Sequence, residues 1–600
     1  MHSYYSKGER KLAAQTLIAL MTTEIAPKRW WDDEILISLQ DTYELFRCLE
    51  EITGPIVSSR EDSYDNLRYL KRIVRNGRRS LSSDSNQPSS KAPQRNNQNN
   101  SKVRKNNDFD QDDDDDDGDD GTRSALEQLN VVKYALSRHL SRGLTWLNGT
   151  RRKQIRENIK EKMTGEKITT ISPNNNQPIL ERVEPTKAEL EELLENSSKA
   201  FKGYSKETNL EQRQTIIKKA LEILSSKQDE LARELTEQMG RPIAYTAKEI
   251  QTAIKRSEYL IKISNEIFAD TPGEPEHGFK RYIRKDPVGP ILVIFAWNYP
   301  YLILVNSLIP ALLAGNSVIL KPSPQTPTIA EHIQKVFLEA GLPKDVISYF
   351  HSGGMNSKIG KIAIESPLVK LICFTGSVQG GLAVQKLASD RVVPVSLELG
   401  GKDPAYIRND VDLDWAASEI VDGALFNSGQ SCCSVERVYV HHSIHDQFII
   451  AIQNVLKTYI VGDPFDPKTH LGPVISPQRN FIKPTLLIDV DHKMRIMKEE
   501  TFGPVIAIMS VQDDQEAIQL MNDSEFGLTA SIWTKDLELA ELTLSTQIEA
   551  GTVFVNRCDF PAADLAWIGW KNSGKGLSLS KFGFDQFIKL KSIHIKSYPK

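Results

Sequence analysis

The chain has 600 residues, of which 26% are charged, with a formal net charge of −4 and five cysteines. That length exceeds what one hydrophobic core organises, so three or more compact units are expected, and the near-neutral charge gives no reason to expect nucleic acid or an acidic ligand. So few thiols do not make a disulfide framework and fit a reducing compartment; the opening MHSYYSKGERKL lacks the basic region and apolar core of a signal peptide, so a cytoplasmic (or nuclear) protein is expected.

Residues 1–78 read as a helical extension, with segments such as KLAAQTLIALMTTEIAP and SLQDTYELFRCLEEITG. Residues 79–121 contain SSDSNQPSSKAPQRNNQNNSK and then DFDQDDDDDDGDDG. This linker has almost no apolar surface to bury, so a disordered acidic tether is expected. Residues 122–162 return to basic helix ending RRKQIRENIKEK. The basic run RYLKRIVRNGRR at 68–79 reads as a solvated helix face rather than a nucleic-acid patch.

From about residue 163 the composition is that of a regular α/β protein. Thr186 with Glu189, and Thr208 with Glu211, have capping-box spacing. The second opens a long helical pattern, NLEQRQTIIKKALEILSSKQDELARELTEQ, which Gly240 and Pro242 should stop. Residues 288–320 contain no charge, a length that could span a bilayer. Pro290, Pro300 and Pro310, with Asn298, Asn306 and Gly315, argue for buried strand, corner, core helix and buried strand instead. Apolar segments ILVIFAW, SVILK, VISYF, LVKLICFTG, PVSLELG, RVYVHH and TVFVN then alternate with helical stretches. The fold class this predicts is α/β with mostly parallel sheets.

Several side chains fall where chemistry is possible. Asn298, at the AWNYP corner, suits an oxyanion or a turn that bonds its own backbone. Lys321 and Ser323 leave a buried strand at its carboxyl end, where ligands sit in open α/β sheets. FTGSVQGG, with Gly376 and Ser377, is a strand-to-helix turn of the kind that can cradle a pyrophosphate. Glu398 sits between two leucines at another strand end, where an apolar setting would raise its pKa toward that of a useful base. In NSGQSCCSVER, adjacent Cys432 and Cys433 admit three readings: small buried hydrophobes, half a metal site, or one nucleophile with a bystander. The nearby HHSIH lacks metal-ligand spacing, so no metal is expected.

Taken together and in order, AWNYP, LKPSPQTP, FTGSVQGG, LELGGKDP, NSGQSCCSVERVYV, KEETFGPV and NSGKGLSLSKFGF resemble the aldehyde dehydrogenase superfamily from about residue 165 to the C-terminus. The resemblance implies a Rossmann-like NAD(P)-binding domain at 163–399 with an oligomerisation arm near 276–288. It also implies a smaller α/β catalytic domain at 400–570 and a C-terminal return and oligomerisation strand at 571–600. By the same resemblance, Cys432 is the nucleophile and Cys433 the bystander. The Cys432 thiolate adds to an aldehyde, Asn298 and the Cys432 backbone N–H hold the oxyanion, hydride leaves to a nicotinamide, and Glu398 activates the water that releases a carboxylic acid. Glu500 matches the nicotinamide-ribose ligand and Phe502 the ring beside it; Lys321 contacts the adenosine ribose, next to Ser323; Gly376 and Ser377 lie at the pyrophosphate. Trp297 falls beside the cofactor and, with Tyr301 and Phe426, near the substrate entry. The implied ligands are NAD, with NADP left open, and a small aliphatic or aromatic aldehyde; the implied assembly is a homodimer or homotetramer.

The pattern departs from the family at two places. Pro324 occupies the slot where many NAD-preferring members carry a ribose-binding glutamate. LGPVISPQRNFIKPTLL joins two motifs normally separated by about a helix and a strand, which implies an internal deletion near 477–480 and, if it is real, poor folding or a dead enzyme. Residues 1–78 and 128–146 resemble a helical segment of a scaffold nucleoporin, so nucleoporins are a candidate partner of the extension. The alternative function is a nuclear-pore-type helical module fused to an inactive dehydrogenase. A thiol hydrolase built on Cys432 is set aside because it leaves Lys321, Glu500 and Phe502 without a task.

Overall fold

The computed structural model describes residues 165–354, 357–476 and 480–598; the expectations for 1–78, 79–121 and 122–162, including the nucleoporin likeness, lie outside these residues. An antiparallel pair, β1 (Lys167–Ile171) and β2 (Pro178–Val183), leads into helices α1 (Lys187–Glu207), α2 (Leu210–Ser226), α3 (Gln228–Met239) and α4 (Ile243–Phe268). Thr186 and Glu189 form the reciprocal box that starts α1. The second box sits one residue later than its expected position: Asn209 and Gln212 cap α2, because the Thr208 hydroxyl turns back to the Tyr204 carbonyl at 2.5 Å. The long helical pattern is also two helices, broken at Lys227 (φ −101°, ψ 7°). Gly240 ends α3 in the left-handed region (φ 77°), where a Cβ would lie 2.6 Å from the Pro473 ring.

Strands β3 (Thr271–Pro272) and β4 (Phe279–Pro287) precede β5 (Ile291–Ile294), α5 (Pro300–Ala314), β6 (Val318–Lys321), α6 (Thr328–Glu339), β7 (Ile347–Tyr349), α7 (Lys358–Glu365), β8 (Leu371–Thr375), α8 (Val378–Ala388) and β9 (Val395–Glu398). Strands β5 to β9 make one parallel sheet in the order β7-β6-β5-β8-β9. Alternate residues of β5 feed two cores: Ile291 and Val293 pack with α2–α5, whereas Leu292 and Ile294 pack with α1, α7 and α8. Each such side chain contributes about 1.5–3 kcal/mol by leaving water. The uncharged stretch is therefore two core strands and a core helix, and among the described residues no helix is long and apolar enough to cross a membrane.

A second sheet follows. It uses β10 (Asp403–Ile407), β11 (Val435–His441), β12 (Thr485–Leu487), β13 (Val505–Val511), β15 (Thr529–Trp533) and β16 (Thr552–Val555), all parallel, in the order β12-β13-β11-β10-β15-β16. Helix α9 (Leu413–Leu425) joins β10 to β11, and α10 (His445–Leu456) follows β11. Two short antiparallel pairs, β14 (Phe526–Gly527) with β18 (Trp570–Lys571) and β17 (Trp567–Ile568) with β19 (Leu577–Ser578), bring the chain back beside the first sheet, where Glu398 bridges to Gly574. The last strand, β20 (Ile588–Lys596), pairs antiparallel with β4 along its length.

Candidate active site

Past the end of α9, Asn427 and Ser428 lie in the left-handed region at φ 54° and 57°. Asparagine tolerates that conformation best when its amide is anchored. Here Asn427 Nδ2 donates to the carbonyls of Asn298 at 3.3 Å and Gln430 at 3.1 Å, and Oδ1 accepts from Arg241 Nε at 3.1 Å. This turn delivers the two cysteines to the start of β11, both as free thiols. Cys433 is buried and donates to Asp559 Oδ1 at 2.9 Å. Its hydrogen bond with Cys432, then burial, then the Asp559 charge raise its pKa, so it stays a thiol. Cys432 is the more accessible of the pair. Cys433 is thus the buried, carboxylate-bound member of the pair and Cys432 the partly exposed one.

Asn298 is held between β5 and α5 with its Nδ2 on the Gln430 carbonyl at 3.3 Å, two residues before Cys432. Its own carbonyl accepts from Arg241, which also pairs with Glu249 and lies 4.2 Å over the Tyr299 ring. Glu249 Oε1 in turn accepts the Tyr301 N–H at 2.9 Å, so this buried ion pair fixes both the Asn298 corner and the start of α5. Tyr301 does not line an entry: it is 1% exposed on the core face of α5. Tyr299 lies near Asp559 and Cys433, and its own burial, then the Asp559 charge, pushes its phenol pKa up. The Asp559 carboxyl is raised to about 7, first by burial.

Glu398 ends β9. Burial raises its pKa, opposed by hydrogen bonds with Ser578 and Thr375 and by the charge of Arg256. The Gly400–Gly401 turn joins it to the rest of the site. A Cβ on Gly400 would fall 2.3 Å from Glu500 Oε1, and one on Gly401 only 2.4 Å from the Cys432 carbonyl oxygen. Only glycine allows these segments to approach so closely. Gly401 N–H donates to Glu500 Oε1 at 3.2 Å, and burial, reinforced by Glu436, raises the Glu500 carboxyl to about 7. Phe502 has φ 51°, held by its N–H on Glu436 Oε1 at 3.0 Å, and its ring meets Trp297 edge-on at 5.6 Å. Beneath this loop Lys402 donates to Glu436 at 2.6 Å and to Thr501 at 2.8 Å.

A second cluster lies at the carboxyl ends of β6, β7 and β8. Lys321 is 4% exposed, and burial lowers its pKa to about 8; among the described residues its ammonium makes no hydrogen bond. Ser323 shapes the turn after it, its Oγ accepting the Gln325 N–H at 3.2 Å. Gly376 N–H donates to the Glu398 carbonyl at 3.1 Å, and Ser377 caps α8 by accepting the Gly380 N–H at 3.2 Å. A Cβ at Gly376 or Gly380 would come within 2.8 or 2.7 Å of the Phe374 ring. A buried cation that makes no side-chain hydrogen bond among the described residues, a glycine-lined helix start and the half-buried Glu500 carboxyl are a donor set that fits a dinucleotide.

Sequence reasoning did not reach Arg241, Glu249, Asn427, Lys402, Glu436 or Asp559, which support the residues it did reach. GRP at 240–242 and GGK at 400–402 were visible, but no local pattern says that these cations are buried and paired. The LGPVIS–FIKPTLL junction packs against the loop that carries Ser428 and Gln430. Ser428 Oγ donates to the Gly472 carbonyl at 2.9 Å, Ile475 N–H donates to Gln430 Oε1 at 2.9 Å, and Val474 N–H donates to the Asn480 carbonyl at 2.6 Å.

The model of the aldehyde dehydrogenase family matches residues 159–480 and 477–593, two stretches that meet at that same junction. Human retinaldehyde dehydrogenase 3 is 31% identical over 469 residues, 73% of this chain and 91% of the relative. The D-glyceraldehyde dehydrogenase (NADP(+)) of Picrophilus torridus is 30% identical over 470 residues, 73% and 94% of the two chains. Among solved structures, betaine aldehyde dehydrogenase from Staphylococcus aureus in complex with NAD+ superposes with a TM-score of 0.69 at 28% identity, covering 72% of this chain and 92% of that one.

Proposed function

The chain belongs to the aldehyde dehydrogenase family, and from that premise we propose that it oxidises a small aldehyde to a carboxylic acid through a covalent thioester on Cys432, with NAD or NADP as acceptor. The observation that carries this reading is a partly exposed thiol, Cys432, and a carboxyl of raised pKa, Glu398, on two segments that the Gly400–Gly401 turn brings together, the Cys432 carbonyl oxygen lying where a Cβ on Gly401 would fall.

The Cys432 thiolate adds to the aldehyde carbon, and the carbonyl oxygen gains the charge. The Asn298 amide and the Cys432 backbone N–H receive that oxyanion; Asn298 is pre-set for this by Gln430 and by the Arg241–Glu249 pair behind it. The dinucleotide, when bound, supplies the hydride acceptor; Lys321 holds its adenosine ribose, Glu500 its nicotinamide ribose, and Phe502 and Trp297 wall the ring. Once the thioester has formed, Glu398 takes a proton from the attacking water, and its raised pKa makes it a stronger base than an exposed glutamate. Cys433, committed to Asp559, does not compete for the aldehyde.

Trp297, Tyr299 and Phe426 are half-buried aromatics on the segments that flank Asn298 and Cys432, a setting that suits aliphatic and aromatic aldehydes. The β4–β20 pair leaves Leu590 and Ile595 exposed along its length, which supports a homodimer or homotetramer joined through this arm. The test is turnover of the purified full chain with a panel of aldehydes and either dinucleotide, followed by absorbance of the reduced cofactor. Turnover that vanishes in Cys432→Ala is expected; equal signals from the two proteins contradict the proposal.

A further inference from the structure

Asp559 carries a carboxyl that no step of the reaction uses, yet both chain neighbours of Cys432 are bonded to it. Ser431 Oγ donates to Asp559 Oδ1 at 2.8 Å, and Cys433 Sγ donates to the same oxygen at 2.9 Å. The Ser434 N–H donates to the Ser431 carbonyl at 3.3 Å, so Cys432 and Cys433 are the central residues of a turn whose first and third positions Asp559 holds. Between those two holds lies the Cys432 backbone N–H.

A side chain positions others only if it is itself held, and Asp559 is held on both sides. It lies on the loop after β16 with its backbone in the left-handed region, φ 46°, which aspartate adopts more readily than most residues. Before it, the Asn556 amide accepts the Thr534 N–H at 2.9 Å and donates to the Thr534 carbonyl at 2.8 Å. Cys558 Sγ donates to the Glu419 carbonyl of α9 at 3.6 Å. A Cβ on Gly423 would fall 2.2 Å from that sulfur, so glycine in α9 lets the loop seat there. After it, Arg256 Nη2 donates to the Pro561 carbonyl at 3.1 Å while Nη1 donates to Asn306 Oδ1 at 2.9 Å, which ties the loop to α4 and α5.

We propose that Asp559 is a positioning residue for Cys432: by accepting from both of its neighbours on one oxygen, it fixes the peptide that presents the oxyanion N–H and turns the Cys433 proton away from the reacting sulfur. The inference rests on the reading of Cys432 as the nucleophile. Hydrogen bonds to an ionised carboxylate are the stronger kind. The same charge disfavours a second thiolate at Cys433. One sulfur is left to attack, and the N–H that receives the oxyanion stays in place.

Two measurements on the full chain at pH 8, above the Asp559 pKa of about 7, test this. One is single turnover with protein in excess over aldehyde, in which reduced dinucleotide reports addition and hydride transfer. The other is alkylation by iodoacetamide without dinucleotide, the two sulfurs being told apart by fragmentation of the digested peptide. Asp559→Gly removes the carboxylate without forcing a side chain into the left-handed region, and Asp559→Asn keeps the shape without the charge. In Asp559→Gly, single turnover should slow about ten- to a hundredfold while the KM for aldehyde stays within about threefold. The label, confined to Cys432 in wild type, should divide between Cys432 and Cys433 in that variant, with Asp559→Asn falling between the two. A single-turnover rate within about threefold of wild type in folded Asp559→Gly, or a label still confined to Cys432, overturns the inference and leaves the reading of Cys432 intact. Wild type labelled at Cys433 instead of Cys432 overturns both. If neither variant folds in a thermal melt, Asp559 is a structural residue and the inference falls.

Discussion

Replacing Glu398 with glutamine separates the two halves of the proposed reaction. Glutamine preserves the shape at the end of β9 and can still bond Thr375 and Ser578, but it cannot take a proton from water. A positioned general base contributes about 10²–10⁴-fold, or about 3–5 kcal/mol of barrier. The loss falls on thioester hydrolysis and not on the addition step. The expected behaviour in stopped flow is therefore a burst of reduced dinucleotide approaching one equivalent per Cys432, followed by turnover slower than wild type by that factor. In wild type, kcat should rise with pH through a limb above the ordinary carboxylate range, since burial raises the Glu398 pKa; in Glu398→Gln that limb should vanish. Turnover within threefold of wild type, or loss of the burst in a folded variant, would refute the assignment.

Asn298→Ala should lower kcat by about 10²–10³-fold, the usual loss for one oxyanion donor, while a circular-dichroism melt shows the fold retained. Lys402→Met should cost about 3–5 kcal/mol in denaturant titration, because it leaves Glu436 buried without its cation under the Thr501–Phe502 loop. Glu500 has a folded pKa of about 7, above its unfolded value, so its neutral form is favoured by folding. Its contribution is complete below the unfolded pKa and is lost as pH rises through 7. Relative to Glu500→Gln, wild type should lose about 3 kcal/mol between acid and pH 8 in paired denaturation curves.

The strands were legible because they are short continuous apolar runs, as in β5, whose alternate side chains face two different cores. The residues proposed to react stood out because short glycine- and proline-bearing motifs carry them next to strand ends. What holds those residues was not. Arg241 is joined to Asn427 and to the Asn298 corner across more than 50 positions of sequence, and Lys402 to Glu436 across 34. The first pair needs distant segments to pack and the second needs β10 to pair with β11, and a lone arginine or lysine in sequence looks the same whether buried or solvated. The end of α1 failed locally: Thr208 had the capping spacing, but its hydroxyl had a nearer carbonyl, and Asn209 took the cap. Tyr301 and Tyr299 were indistinguishable by proximity, and helix phase put the first in the core.

The claim on which the mechanism stands is that the aldehyde becomes covalently attached at Cys432 rather than Cys433. Mass spectrometry of Glu398→Gln, quenched in acid after a single turnover with aldehyde and dinucleotide and then digested, reads this directly. The expected result is an acyl group on the peptide bearing both cysteines, fragmenting to Cys432. An acyl group on Cys433, or an unmodified peptide from protein that has produced reduced dinucleotide, would contradict it.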